Sequence, residues 1–445
     1  MAEKQPLLTE DRPQGLTSDP ISDAQRLSNK TWPWIAVIAG ALGGISMGMI
    51  ITGSYLIELA TSSCPKWSES ATVYAEALLI GTIGLGAPIH SFLLRAYGAN
   101  FLACLGVFLL GFAWGSTGLA AHLCSYGSTT EILYVVSYGF FLGMGLQGVF
   151  LATLTLLISW FPNRIGFCST FPMIFLSLGS IAFGQWFLEM ERLYNCGSLK
   201  FETILLMTGL VIVLFNVLPV FVKQGTPTRR EEAEGEKWKT RDVMKDPRFW
   251  LIFWAKTVLL LPGWGIIGRQ KQFLAEMWRK SNPPLHVLSA VALGSYTVSR
   301  LFWTFASDRV RQIDLWMVSG ALQTLTISLL PIFIYHTASW GVYAAIIAYC
   351  VNLMTFTVPK SLGPALLAEL YGSEMAAFLT GLQAPSFGIA GLVGPVFTES
   401  LFRRTGDYSL FLFISGGLAI SGLVTLSLAY FIGKRRLVNT ASERS

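Results

Sequence analysis

Apolar stretches of about 20 residues alternate with short polar connections along almost the whole 445-residue chain. At about 1.5 Å of rise per residue, each is long enough to cross the ~30 Å hydrocarbon core of a bilayer as a helix. Helix is the form the pattern demands, because lipid offers no partner for an unpaired backbone N–H or C=O. Twelve spans are predicted, at about 33–58, 72–94, 100–121, 132–159, 166–188, 202–222, 248–268, 285–307, 314–335, 340–367, 375–400 and 409–432. The longest polar connection, 223–247, divides them six and six. The expected organisation is therefore a disordered polar tail (1–31), an N-terminal six-helix half (32–222), a charged linker (223–247), a C-terminal six-helix half (248–432) and a second tail (433–445).

Composition agrees with an all-α polytopic membrane protein: 53% hydrophobic, 13% charged, mean hydropathy +0.54. Soluble domains carry about 25% charged residues. The net charge of +6 is no signature of nucleic-acid binding here, because most of the 32 Lys and Arg fall in the tails and the even-numbered loops. Those segments are thereby assigned to the cytosol, with both termini. The bases between the seventh and eighth spans, Arg269, Lys271, Arg279 and Lys280, run against this trend. The first 30 residues are polar, so no cleavable signal peptide is expected. Glu3 to Leu8 fits an acidic dileucine pattern, which would recruit a sorting adaptor and direct the chain to an endosomal, lysosomal or vacuolar membrane; the plasma membrane is the other expectation.

Cys104, Cys168 and Cys350 fall in spans and read as small core residues. Cys64, Cys124 and Cys196 fall in three loops assigned to the non-cytosolic side, where a disulfide between two of them is open and the third is left over. No metal, nucleotide or nucleophile constellation is present, so neither an enzyme nor a cofactor is expected. The GMGLQG stretch at 143–148 has no preceding strand and no P-loop lysine, and reads as close helix packing.

Charge inside the spans carries the functional reading. Arg300 lies eight residues before Asp308, hence roughly 12 Å inside the membrane, where an unmatched guanidinium costs ~2.5 kcal/mol or more. Tyr296, Trp303 and Thr304 share its side of the helix. Lys360, nine residues before Glu369 on the tenth span, sits at a similar depth, roughly 13 Å, beside Pro359 and Pro364, which loosen the helix. Two cations at one level suit a carboxylate or a dianion; the competing role for Lys360 is snorkelling, and for Arg300 a tether to a neighbouring helix. Lys256 shares its helix face with Ile252, Phe253, Leu259, Leu260 and Gly263, a poor cavity lining, so snorkelling or pairing with another helix stands beside substrate contact as its role. Tyr55, Gln147 and Gln383 are minor candidates for substrate contact. His90 is the candidate proton site.

The end of the fourth span with the fifth (LISWFPNRIGFCSTFPMIFLSLGSIAFG) is echoed in the second half by LAELYGSEMAAFLTGLQAPSFGIAGLVG. Such repeats characterise secondary transporters. From here the chain resembles the major facilitator superfamily, and within it the oxalate/formate antiporter and monocarboxylate transporter branch. The resemblance rests on Gly143-Met144-Gly145-Leu146-Gln147-Gly148 running to Trp160-Phe161-Pro162-Asn163-Arg164, on Asp246-Pro247-Arg248-Phe249-Trp250, on Ser299-Arg300 with Ser307-Asp308-Arg309, and on Pro364 to Gly372. Three departures stand beside it. The loop between spans two and three reads Leu93-Leu94-Arg95-Ala96-Tyr97-Gly98 and lacks the usual acid before Arg. Tyr296 stands where proton-coupled monocarboxylate carriers have an acidic residue. Phe387 stands where the oxalate exchanger has a lysine, which argues against oxalate.

The resemblance implies alternating access by two pseudo-symmetric halves, moving a small organic anion with a co-transported proton or an exchanged anion. Substrate would meet Arg300, Lys360, Tyr296, Thr304, Gln147, Gln383 and Tyr55, while Asp308, Arg309, Glu369 and Arg164 would form cytosolic gating contacts. Amino acids, a vitamin such as pantothenate or another zwitterion are the alternative cargo. A sensor or scaffold that does not transport is the alternative of another class.

Overall fold

The computed structural model describes residues 20–52, 59–60, 62–224, 238–267, 270–278, 285–307, 309–336 and 339–442; Glu3 to Leu8, Tyr55 and Asp308 lie outside them. Among the described residues the chain is helical and no strand occurs. Ten helices are long and apolar enough to cross a membrane. The second span, Glu69–Leu85, and the eighth, Leu285–Ser307, complete twelve.

Both outermost helices run further than their apolar cores. The first begins at Pro20 and the last ends at Ser442, inside segments whose polarity alone suggested disordered tails. Proline suits the first helical position, and nothing between Pro20 and the apolar core breaks the helix, so it extends into polar sequence.

Several spans are interrupted where the sequence lacks a backbone donor or a Cβ. The second span breaks at Gly86 and resumes in the long helix Ala87–His122, which turns at Gly98 (φ 84°) to become the third. That left-handed conformation is strained for a residue with a Cβ. The fourth span contains a wide turn at Val135–Phe141 before Leu142–Trp160. The tenth divides into Ser339–Phe356, Val358–Ser361 and Gly363–Tyr371, as Pro359 and Pro364 predict. The two echoed segments both begin in tight turns: Pro162–Arg164 before the fifth span and Gly372 (φ 92°) before the eleventh.

Neighbour relations repeat with an offset of six. In the first half, span one packs on five, three on four and three on six; in the second, seven packs on eleven, nine on ten and nine on twelve. The halves join along two seams, span two against eleven and span eight against five, which the same offset exchanges. The two six-helix halves are thus pseudo-symmetric. At the first seam the backbones touch: a Cβ on Gly84 would lie 2.2 Å from the Gly388 nitrogen. Glycine at such crossings allows packing closer than any other residue permits.

The loops after spans one and three are laced together. Trp67 Nε1 donates to Thr130 Oγ1 (3.1 Å), Lys66 Nζ to the Ser125 carbonyl (2.8 Å) and Ser68 Oγ to Glu131 Oε1 (2.6 Å). This lacing brings Cys64 and Cys124 within reach of one another, while Cys196 lies exposed at the end of the fifth span. All three thiols are free, and burial together with the Cys124 thiol pushes Cys64 up.

Two outcomes are expected. Under mild oxidation Cys64 and Cys124 cross-link to each other and leave Cys196 open to alkylation, which non-reducing peptide mapping reads. Gly84→Leu overpacks the seam and lowers stability by ~1–3 kcal/mol, measured by thermal unfolding of the purified protein.

Candidate functional site

The eighth span is polar on one stripe only, and that stripe meets the other half. Arg300 is 1% exposed. Its guanidinium donates to the carbonyl of Met173 on the fifth span and to the hydroxyl of Tyr296 one turn earlier, and it stacks 4.4 Å from the Tyr296 ring centroid. Nε has no partner among the described residues. The fifth span holds Pro172 just before that carbonyl, within a helix that continues through it. Arg300 is thus a tether between the halves.

Lys360 lies on the short middle helix of the broken tenth span, with Nζ 4.3 Å from the Phe387 ring centroid. Phe387 of span eleven is therefore covered by a lysine from span ten. Lys256 is buried, and its Nζ lies against Gly363 of span ten, 3.7 Å from where a Cβ on that glycine would stand, an ordinary contact between helices. Arg300 and Lys256 both act electrostatically on Lys360. Among the described residues no carboxylate pairs with any of the three cations.

The remaining candidates divide. Thr304 is buried and donates to the Arg300 carbonyl (2.6 Å), which occupies its hydroxyl within its own helix. Gln383 Nε2 donates to the Phe249 carbonyl (2.7 Å), tying span eleven to seven, while its Oε1 is unpartnered. Gln147 is buried on span four. His90 is 1% exposed beside Gly148, and neither ring nitrogen has a partner among the described residues.

Of the four charges expected at the gate, Asp308 lies outside the described residues, and the other three form no ion pair with one another among the described residues. Glu369 accepts from the Gln312 backbone (2.6 Å) and pairs with Arg311 (3.5 Å), all within the second half. Arg164 and Arg309 are exposed, with no ion pair among the described residues. Contact between halves at this end comes instead from Arg95, whose guanidinium lies 5.0 Å from the Phe378 ring centroid and donates to Thr240. The sequence signal was present, since Arg95 sits in the loop that lacks its usual acid. Next to it, Arg248 and Asp246 form a buried pair, with NH2 to Oδ2 at 2.6 Å and Nε to Oδ2 at 2.9 Å.

With this geometry in place, the fold is that of the major facilitator proteins. The structure is similar to the E. coli fucose:proton symporter FucP (TM-score 0.65, 12% identity), covering 89% of this chain and 98% of that one. It is also similar to a bacterial homologue of the iron transporter ferroportin in an outward-facing state (TM-score 0.67, 17% identity, 89% and 98% covered). In sequence, the chain is 23% identical over 364 residues to an uncharacterized MFS-type transporter, YhjX of E. coli strain K12, covering 81% of this chain and 86% of that protein. No protein-family profile matches the chain. These likenesses support a membrane transporter of the major facilitator type.

Breaking a buried pair leaves a stranded charge. Asp246→Asn is expected to destabilise the protein by ~3–5 kcal/mol, seen as a lowered thermal unfolding midpoint in detergent.

Proposed function

We propose that the chain moves a small organic anion, a mono- or dicarboxylate, across its membrane by alternating access. The observation that carries this reading is the cluster of Arg300, Lys360 and Lys256, buried or partly buried in one half with no carboxylate partner among the described residues. Uncompensated cations in a low-dielectric interior repel one another and favour an incoming anion. A carboxylate arriving between the halves takes Arg300 away from the Met173 carbonyl, to which it is now tied. Charge-assisted bonds to a carboxylate are stronger than the bond to a neutral carbonyl that they replace. Exchange of the tether for substrate therefore couples occupancy to the contact between spans five and eight. That is what rocking two halves about a central site requires.

At the linker end, Arg95 with Phe378 and Thr240 is the gate this arrangement favours over the charges at Arg164, Arg309 and Glu369. A co-transported proton, where one is carried, has His90 as its buried imidazole. The positive-inside count supports cytosolic termini.

Uptake into proteoliposomes tests the reading with labelled lactate, pyruvate, succinate, neutral amino acids and pantothenate. Arg300→Ala is expected to reduce carboxylate uptake about tenfold to a hundredfold, the loss of a charge-assisted hydrogen bond at ~1.5–3 kcal/mol. Arg300→Lys should recover part of it, since an ammonium keeps the charge but not the fork. Undiminished carboxylate uptake by correctly inserted Arg300→Ala would overturn the assignment.

A further inference from the structure

Between the two cations runs an unbroken file of aromatic rings contributed by four different spans. From Arg300 it passes to Tyr296 (4.4 Å), then to Phe356 of span ten (6.4 Å between centroids), Trp264 of span seven (5.8 Å) and Phe387 of span eleven (5.2 Å), and it ends at Lys360 Nζ (4.3 Å). The rings of Tyr296, Phe356, Trp264 and Phe387 are all buried. Gly263 lets the Phe356 ring lie against span seven, where a Cβ would stand 2.2 Å from it.

An ordinary apolar core does not cap its rings with cations at both ends. Nor is the file remote from the interface. Its Arg300 end is held by Met173 of span five, and its Phe387 end adjoins Gly388, which touches Gly84 of span two. When the halves part along these seams, the rings and both cations face the same opening. Two donors stand ready along it, Arg300 Nε and Trp264 Nε1, neither with a partner among the described residues. Such a wall has few groups to match the many hydroxyls of a sugar. It has a large flat surface for stacking and fixed positive charge for a carboxylate.

Building on the anion reading, we propose that the preferred substrates are carboxylates with a flat aromatic body, such as aryl 2-oxo acids, which bind with the carboxylate on Arg300 and the ring along Trp264 and Phe356. The Trp264 N–H accommodates an acceptor on the body of the substrate. Small aliphatic acids share the charge contact and lose the stacking.

The test compares half-saturation for labelled phenylpyruvate and pyruvate in proteoliposomes containing the full chain. The expected result is an advantage for phenylpyruvate of about tenfold, an advantage that shrinks in Trp264→Leu and is kept in the conservative Trp264→Phe. Binding of phenylpyruvate to detergent-purified protein, read by quenching of tryptophan fluorescence and by thermal shift, gives the same comparison for a variant that inserts poorly. Equal half-saturation for the two acids in the unaltered protein, or an advantage indifferent to Trp264→Leu, overturns the aromatic preference. If pyruvate uptake still depends on Arg300 in that case, the anion reading stands alone. If neither acid is carried, both fall.

Discussion

A guanidinium held in a nonpolar interior constrains everything near it. Arg300 has to be matched from every side, and the match comes from one carbonyl across the interface and one phenol on its own helix. Both are neutral acceptors. The arrangement satisfies hydrogen bonding without neutralising charge, so the contact between spans five and eight holds the halves together while leaving a standing electrostatic demand. Among the described residues no carboxylate pairs with Arg300, Lys256 or Lys360, in keeping with the same constraint. An acid placed there would fill the site permanently.

Much of the fold was legible because membrane physics makes the sequence repetitive: only helices satisfy the backbone in lipid, and twelve apolar runs announce themselves. The prolines of span ten foretold its division, and Gly372 marked the turn into span eleven. The polar ends of the first and last helices were not legible as helix, since polarity reports solvent contact and not backbone conformation. The burial of Arg300 could be expected from its place in an apolar helix, whereas the helical rise used for Lys360 does not apply, because span ten is broken between Lys360 and Glu369. Lys256 is buried as well, although its own helix face is apolar.

The ring file escaped for a similar reason. Trp264, Phe356 and Phe387 stand on three helices far apart in sequence, and each alone reads as core. Phe387 stood out only as the position where the resembling exchanger carries a lysine, and Phe356 only by lying four residues before Lys360. At the gate, Glu369 finds its partners within its own half, the backbone N–H of Gln312 and the neighbouring Arg311. Local capping was satisfied before any contact across the interface.

The bare crossing of Gly84 and Gly388 has a mechanical meaning. Where side chains interlock, one helix can turn upon another only by forcing rotamers to change in steps. Two glycine backbones in contact offer no teeth at that point, but the flanking turns do: Leu392 sits over Gly81 and Ile80 over Gly391, each where a Cβ would collide. The seam between spans two and eleven is thus keyed on both sides of a bare crossing, which fixes the register of the two helices.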